Sequence, residues 1–88
     1  MHADYKVQGG KLIRIDASFD GGRITSIRIT GDFFIHPEQA VESIERFLIG
    51  RRIGEGLAEE LRSFLGRSGI RLVGMEAEDL TTALSMAQ

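Results

Sequence analysis

The fold is decided by the stretch KLIRIDASFDGGRITSIRIT, residues 11–30. Apolar and polar residues alternate in its first half, which places four apolar residues on one face of a strand: Ile13, Ile15, Ala17 and Phe19. Asp20-Gly21-Gly22 follows, and glycine adopts the positive φ angles that a tight hairpin turn requires. The stretch therefore predicts an antiparallel β-hairpin.

We expect the return strand of this hairpin to run from Arg23 to Ile35. Alternation along it assigns one face to Ile27, Ile29, Phe33 and Ile35, and the other to Arg28, Thr30 and Asp32. Leu12 and Ile24 are expected on that second, outward face. A two-stranded ribbon is only marginally stable in water, so helices must cover its apolar face.

Three helices are predicted to supply this cover. The first begins at Pro37, which suits the first turn of a helix, and Gly50 ends it. The second spans about residues 55–65 and stops at Gly66, and the third begins near Ala77. Their apolar residues recur at helical spacing: Val41, Ile44, Phe47 and Leu48; Leu57, Ala58, Leu61, Phe64 and Leu65; Leu80, Ala83, Leu84 and Ala87.

These elements predict an α+β fold in one small domain over residues 1–88. An antiparallel hairpin at 11–35 packs against a helical part at 37–87, which contains a candidate third strand near 70–73. We expect Gly9-Gly10 to mark a turn before the hairpin and residues 1–4 to be loosely held.

Composition excludes several classes of function. The chain is 42% hydrophobic and 27% charged, which is typical of a globular domain. Its net charge of -2 provides no basic excess for a nucleic-acid partner. It contains no cysteine for a disulfide or thiolate site. The apolar runs are too short for a membrane span and no signal pattern is present, so we expect no membrane partner and a cytoplasmic location.

The residue types that perform catalysis do not come together in the sequence. His2 and His36 are far apart, with no ligand-like spacing to other donors, so we expect no metal site. No serine lies in a nucleophile-elbow context. Asp16 on the solvated strand face and Asp20 at the turn have ordinary structural roles. We therefore expect no catalytic residue in this chain, and an independent enzyme is the least favoured function.

Gly9-Gly10-Lys11 has the composition of a phosphate-binding loop but not its placement. These glycines precede a strand, whereas a phosphate loop follows a strand and opens a helix. A simple turn explains the pattern. A direct phosphate or active-site contact by Lys6 or Lys11, with Gly9 and Gly10 between them, remains the alternative.

Phe34 departs from the alternation of the return strand. It falls on the outward face with Arg28 and Asp32, where a large aromatic residue is unusual. Either a β-bulge near Gly31 rotates Phe34 inward, or Phe34 is left exposed for another protein. The residue pattern leaves both interpretations open. The second one makes a candidate partner interface of four residues: Leu12, Ile24, Asp32 and Phe34.

Several strings in the chain resemble a known family. They are Tyr5-Lys6-Val7-x-Gly9-Gly10-Lys11-Leu12, Ile27-Arg28-Ile29-Thr30-Gly31-Asp32-Phe33-Phe34, Leu72-Val73-Gly74 and Glu78-Asp79-Leu80. Together they are similar to the C-terminal accessory domain of lipoate–protein ligases, over almost the whole chain. Two departures stand out. Gln8 occupies a position where proline is usual, and Glu76-Ala77 replaces a Ser-Pro helix start, which predicts a weak N-cap.

The resemblance implies the function of a non-catalytic accessory subunit. In that family a large catalytic domain activates lipoate with ATP to lipoyl-AMP and transfers the lipoyl group to a lysine of an acceptor domain. The resemblance implies that this chain is needed for the activation step. Its direct partner would be the catalytic large subunit in a heterodimer, and its indirect partner a lipoyl-acceptor domain. Lipoate, ATP and Mg²⁺ are expected on the catalytic partner.

A second class of function fits the same residues. The chain could be a general protein-interaction or regulatory module unrelated to lipoate, acting as a homodimer or through a strand edge. Co-purification with a catalytic ligase chain would favour the accessory subunit, and a well-ordered homodimer without such a partner would favour the module.

Overall fold

The computed structural model of the protein describes residues 1–88. In chain order its elements are β1 (His2–Lys6), β2 (Leu12–Asp20), β3 (Arg23–Gly31), β4 (Phe34–His36), α1 (Ala40–Leu48), α2 (Leu57–Ser68), β5 (Arg71–Val73) and α3 (Ala77–Ala87). The strands form two antiparallel sheets, one in the order β1-β2-β3 and one that pairs β4 with β5. The predicted α+β class is confirmed. None of the three helices combines the length and the apolar character that crossing a bilayer requires.

The predicted hairpin is present as β2 and β3. Gly21 and Gly22 form its two-residue turn with φ angles of 59° and 81°, the left-handed values that such turns require. Ile13, Ile15 and Ala17 are buried on the inward face of β2, and the intervening polar residues are exposed. Alternation in the sequence was thus sufficient to orient this strand.

The prediction that residues 1–4 are loosely held is wrong. β1 pairs with β2 in register from His2 opposite Asp16 to Lys6 opposite Leu12. Ala3 and Val7 are buried in the core, so the first residues have an apolar face of their own. The predicted turn at Gly9-Gly10 is confirmed, and it joins β1 to β2: the amide of Val7 donates to the Lys11 carbonyl at 2.7 Å.

The prediction that Ile24 faces outward is also wrong. The pairing of β2 with β3 shifts register between Ser18, which faces Ser26, and Phe19, which faces Ile24. Thr25 is therefore an extra residue in β3, and such a bulge reverses the side-chain direction before it. Ile24 is fully buried as a result and does not belong to an exposed interface.

The return strand does not continue to Ile35 but ends at Gly31. A Cβ built on Gly31 would lie 2.6 Å from Cε2 of Phe33 and closer still to the Leu12 carbonyl oxygen, and its φ of 153° is rare for other residues. Asp32 holds the bend that follows: its carboxylate accepts the Leu12 amide at 2.6 Å. The chain then leaves the first sheet and forms β4 against β5.

The three predicted helices exist, but some ends differ. Residues 37–39 form a turn, with the Ala40 amide donating to the Pro37 carbonyl at 2.9 Å, and α1 begins only at Ala40. Gly66 lies inside α2, which ends instead at Gly69 in the left-handed conformation with a φ of 68°. Of Gly66 and Gly69, Gly69 is the one with the left-handed conformation that closes a helix.

The start of α3 is better capped than its sequence predicts. The carboxylate of Asp79 accepts the backbone amide of Glu76 at 2.7 Å. This hydrogen bond is part of a capping box, in which the side chain of the third helical residue, Asp79, accepts the backbone amide of the N-cap residue, Glu76. The expected weak N-cap at Glu76 is thus compensated from within the first turn.

The core lies between the three-stranded sheet and the helices. α3 packs on β1 and β2, α1 packs on β3, and α2 contacts both α1 and α3. All 21 buried residues are hydrophobic.

The outer edge of β3 is covered by α1 and the segment that follows it. The Gly50 amide donates to the Ile24 carbonyl at 2.7 Å, and the Ile29 amide donates to the Glu45 carboxylate at 2.8 Å. Such cover prevents further strand pairing along that edge.

His2 bridges two carboxylates on the outer face of this sheet. Its Nδ1 lies 2.9 Å from the Asp16 carboxylate and its Nε2 lies 2.6 Å from that of Asp4. Hydrogen bonds to Asp16, and then to Asp4, raise the pKa of His2 above its ordinary value. The imidazole therefore links Asp4 of β1 to Asp16 of β2, at a terminus expected to be loosely held.

The close approach at Gly31 makes a specific prediction about stability. We expect Gly31→Ala to lower the free energy of unfolding by about 2 kcal/mol or more, because the methyl group collides with backbone and requires a rare φ. Urea denaturation measures the change. Gly54→Ala is the matched control: that glycine has open space and an ordinary φ, so its effect should stay within about 0.5 kcal/mol. Equal losses in the two variants would contradict the steric argument.

The raised pKa of His2 predicts a pH-dependent contribution to stability. A raised folded-state pKa stabilises the fold below the unfolded value of about 6.5, and this contribution disappears as pH rises through the folded value. The urea midpoint of the wild type should therefore exceed that of His2→Gln at about pH 6, and the difference should shrink as the pH rises through the folded-state pKa of His2. Asp16→Asn should reduce this pH dependence. A difference that grows with rising pH would refute the assignment.

Candidate functional site

Phe34 is exposed on the surface of the second sheet. Its exposed fraction is 66%, so the interpretation in which a bulge turns it inward is wrong. It pairs across β4 and β5 with Val73, itself 47% exposed. Phe33 is partly buried against the core, as the alternation predicts. The bend at Gly31 thus separates the two phenylalanines, one toward the core and one toward solvent.

Lys11 lies across the Phe34 ring. Its Nζ is 5.6 Å from the ring centroid, within the range of a cation–π interaction. The aliphatic part of Lys11 runs beside Gly74, where a Cβ would be only 2.9 Å from the lysine Cγ. Gly74 therefore leaves the space that this lysine occupies. The arrangement places a cation directly beside an exposed aromatic ring.

Leu12 and Asp32 lie at the bend that leads to Phe34. The Asp32 amide donates to the Leu12 carbonyl at 3.2 Å, in addition to the bond that its carboxylate accepts. Asp32 is exposed and Leu12 is half-buried. Of the four predicted interface residues, Ile24 is buried and the other three lie at or beside the bend. We call Lys11, Leu12, Asp32, Phe34 and Val73 the Phe34 surface.

Of the two lysines beside the Gly9-Gly10 turn, Lys11 belongs to the Phe34 surface. The Gly10 amide donates to the Val7 carbonyl at 3.0 Å, so the turn itself uses this donor. Lys6 is exposed and pairs with Leu12 across β1 and β2. Lys11 reaches over Phe34. Of the two lysines, Lys11 is therefore the one that lies with the interface residues Leu12, Asp32 and Phe34.

A shallow cleft of about 310 Å³ opens beside Phe34. Its lining is mostly apolar: Ile29, Thr30, Gly31, Phe33, Phe34, Ile35, Glu38 and Val41. This volume is at the lower end of the range for ligand pockets, and a cleft of this size can receive one side chain of another protein. Its position extends the apolar character of the Phe34 surface toward α1.

Sequence reasoning missed Val73 and Gly74. Residues 70–73 are an apolar run in the sequence and were expected to form a strand, which the structure confirms at Arg71–Val73. The strand it pairs with could not be identified, because the break of β3 at Gly31 was not foreseen. Without that break there is no separate strand β4 for Val73 to pair with. The exposure of Val73 beside Phe34 therefore does not follow from the pattern of apolar residues around it.

Two adjacent arginines that follow α1, Arg51 and Arg52, contact neighbouring parts of the fold. The guanidinium carbon of Arg51 lies 3.8 Å from the centroid of the Phe47 ring, and the same guanidinium forms a salt bridge of 2.7 Å with the Glu60 carboxylate. Arg52 donates to the Gly21 carbonyl at 2.9 Å. Both arginines thus connect the segment after α1 to its neighbours. No group of three or more histidine, cysteine or acidic side chains has an arrangement that could hold a metal ion.

Comparison with known proteins gives consistent matches over nearly the whole chain. A family model described as "Bacterial lipoate protein ligase C-terminus" matches residues 1–84. A curated relative, lipoate-protein ligase A subunit 2 of Thermoplasma acidophilum, is 38% identical over 81 residues, which cover 92% of this chain and 83% of the relative.

A solved structure shows the same fold. It belongs to a study of an archaeal lipoylation system from Thermoplasma acidophilum, described as a bipartite lipoate protein ligase and its E2 lipoyl domain. The matched chain is similar with a TM-score of 0.81 and 36% identity, over 96% of this chain and 92% of that one.

The two adjacent phenylalanines should respond differently to truncation. Phe34→Ala should change the free energy of unfolding by no more than about 0.5 kcal/mol, because the ring is mostly exposed. Phe33→Ala should cost about 2 kcal/mol or more, because its ring packs on Gly31 and the core. Thermal or urea unfolding of both variants measures this contrast. A large loss for Phe34→Ala would mean that its ring has a structural role.

Proposed function

Because the chain belongs to the family of bacterial lipoate protein ligase C-terminal domains, we propose that it is the small subunit of a two-chain lipoate–protein ligase. Support comes from the similarity to a protein named as subunit 2 of such a ligase, at nearly full length in both chains. The structural match to a bipartite ligase system supports the same assignment. The direct partner in this proposal is the catalytic chain, and the lipoyl-acceptor domain is an indirect one.

The proposed role is in activation of lipoate. In this step a carboxylate oxygen of lipoate attacks the α-phosphorus of ATP, the bond to pyrophosphate breaks, and lipoyl-AMP forms. The lysine amine of the acceptor then attacks the acyl carbon and releases AMP. We place lipoate, ATP and Mg²⁺ on the catalytic chain.

A chain without its own reacting groups can still accelerate activation. Much of the barrier in such a displacement is removed by holding the reactants in line and by preorganised charge. A domain that closes over the site orders loops and excludes water, which strengthens these charge interactions. The small subunit would act in this way on the catalytic chain, docked through the Phe34 surface.

Lys11 is the residue of this chain that we place nearest the nucleotide. It carries a positive charge on the Phe34 surface, whereas Lys6 lies on the outer face of β1. If the Phe34 surface docks beside the active site, the ammonium group of Lys11 can approach a phosphate. In that position it would offset negative charge that develops during activation.

An exchange assay tests the proposed role. With this chain present, the catalytic chain should incorporate labelled pyrophosphate into ATP in a lipoate-dependent manner. Omitting this chain should slow the exchange by about tenfold or more, equivalent to about 1.4 kcal/mol or more of activation free energy. Transfer from preformed lipoyl-AMP to the acceptor should proceed at a similar rate without it.

The two half-reactions separate the possible outcomes. Equal exchange with and without this chain would show that activation does not need it. Loss of both half-reactions would indicate a general requirement for the folded complex. Gel filtration of this chain alone adds one more test, because a stable homodimer that does not bind the catalytic chain would favour the unrelated interaction module.

The role of Lys11 can be separated from docking by working at a saturating concentration of this chain. Under that condition Lys11→Ala should lower the maximal exchange rate by about tenfold, while Lys6→Ala, the matched control, should leave it unchanged. Both variants remove one lysine ammonium group beside the Gly9-Gly10 turn, Lys6 before it and Lys11 after it. Equal rates for Lys11→Ala and the wild type would exclude a charge contribution and leave docking alone.

A further inference from the structure

The ribbon of β4 and β5 has one face that points away from the core. Its register pairs Phe34 with Val73 and His36 with Arg71, and all four residues are exposed. Ile35 and Leu72 form the middle pair and point inward, where Ile35 is 8% exposed. We call Phe34, His36, Arg71 and Val73 the ribbon face.

Phe34 and Val73, the apolar half of this face, are the exposed large apolar residues that lie side by side on paired strands. The other large apolar residues that are exposed are Met1, Ile49 and Met86. Met1 continues β1 opposite Ala17, whereas Ile49 and Met86 lie outside the strands. Each is a single exposed apolar residue, which is normal on any protein. Phe34 and Val73 are directly opposite each other on adjacent strands, so they form a contiguous exposed apolar pair.

Positive charge surrounds this apolar pair. Lys11 lies over the Phe34 ring on one side, and Arg71 is two residues from Val73 on the same strand face. Neither is in a salt bridge, whereas Arg14, Arg51 and Arg62 pair with carboxylates elsewhere. The four residues of the ribbon face include no acidic side chain, although Asp32 is exposed at the adjoining bend and Glu38 lines the cleft. Lys11 and Arg71 are thus the cations without a salt-bridge partner that flank the apolar pair.

The cleft beside Phe34 adds shape to this surface. Phe34 forms one wall, and Phe33 and Val41 contribute further apolar lining. An apolar side chain inserted there would contact Phe34 and this lining. Buried aromatic anchors of this type, surrounded by polar or charged rims, provide most of the binding free energy in protein interfaces.

We propose that the ribbon face is the docking surface for a segment of the catalytic chain in which an apolar side chain is flanked by carboxylates. This inference rests on the proposed function; it extends the contact from the Phe34 surface to His36 and Arg71 and adds the chemistry of the partner. The apolar side chain covers Phe34 and Val73 and enters the cleft. The carboxylates approach Lys11 and Arg71, which accelerates association and makes it sensitive to salt.

Affinity measurements with the purified catalytic chain of the same organism test this surface. Phe34→Ala should weaken binding by about thirtyfold, as expected for a central aromatic anchor, and Val73→Ser by about tenfold. Arg71→Glu should weaken binding strongly at low salt and less at high salt, because mobile ions screen its repulsion from the partner carboxylates.

Two matched controls are available on other surfaces. Ile49→Ser replaces an apolar residue that is 47% exposed, the same fraction as Val73. Arg28→Glu reverses an exposed arginine that forms no salt bridge, on the outer face of β3. Both should bind within about twofold of the wild type, since they lie outside the proposed contact. Hydrogen exchange of the wild-type complex should show new protection at residues 34–36 and 71–73.

The outcomes distinguish this inference from the proposed function. If the wild type binds and stimulates the catalytic chain but the ribbon variants bind equally well, the docking surface is wrong and the accessory function stands. If the control variants weaken binding as much as the ribbon variants do, the contact lies elsewhere. If the wild type does not bind the catalytic chain at all, the proposed function itself fails. Protection in the ribbon without new protection elsewhere in the chain would support the inference independently of any variant.

Discussion

The architecture depends on the absence of a side chain at residue 31. The backbone there passes so close to the Leu12 carbonyl and the Phe33 ring that a Cβ has no room. This close passage lets Phe33 pack over the end of the first sheet. The Asp32 carboxylate then fixes the bend by accepting the Leu12 amide. Because the chain leaves the sheet at this point, residues 34–36 pair with β5 and Phe34 points into solvent.

The bend separates a three-stranded sheet that is covered by helices, the closed part, from a two-stranded ribbon with an exposed face, the open part. In the closed part, helices cover one face of the three-stranded sheet, and Glu45 and the segment after α1 occupy the outer edge of β3. In the open part, the short ribbon presents Phe34 and Val73 outward with Lys11 beside them. A well-packed support for an exposed apolar pair suits the proposed accessory subunit, because contact residues that are oriented before binding lose little conformational freedom.

The proposed chemistry is compatible with a chain whose contribution is steric and electrostatic. Lipoate activation supplies its own nucleophile in the carboxylate and its own leaving group in pyrophosphate. What a second chain can add is closure, exclusion of water and a well-placed positive charge. The Phe34 surface combines an apolar contact with the ammonium group of Lys11, so docking and charge delivery can occur through the same few residues.

The sequence by itself determined the elements whose signals are local. Alternation in β2, the Gly21-Gly22 turn and the helical spacing of α3 each depend on neighbouring residues only, and all three are confirmed. The resemblance to lipoate–protein ligase accessory domains also followed from short strings. The sequence further indicated that Phe34 was out of place, although alternation could not say whether its ring pointed inward or outward.

Only the tertiary structure decided the features that arise from pairing between distant segments. The bulge at Thr25 buries Ile24 because the register of β3 is set by its partner strand. The strand at residues 2–6 is stable because β2 offers it an edge and α3 covers its apolar face. Val73 lies opposite Phe34 because β4 pairs with β5, although α1 and α2 separate the two strands in the chain. These contacts depend on the space left by other elements, and no local pattern of residues encodes that space.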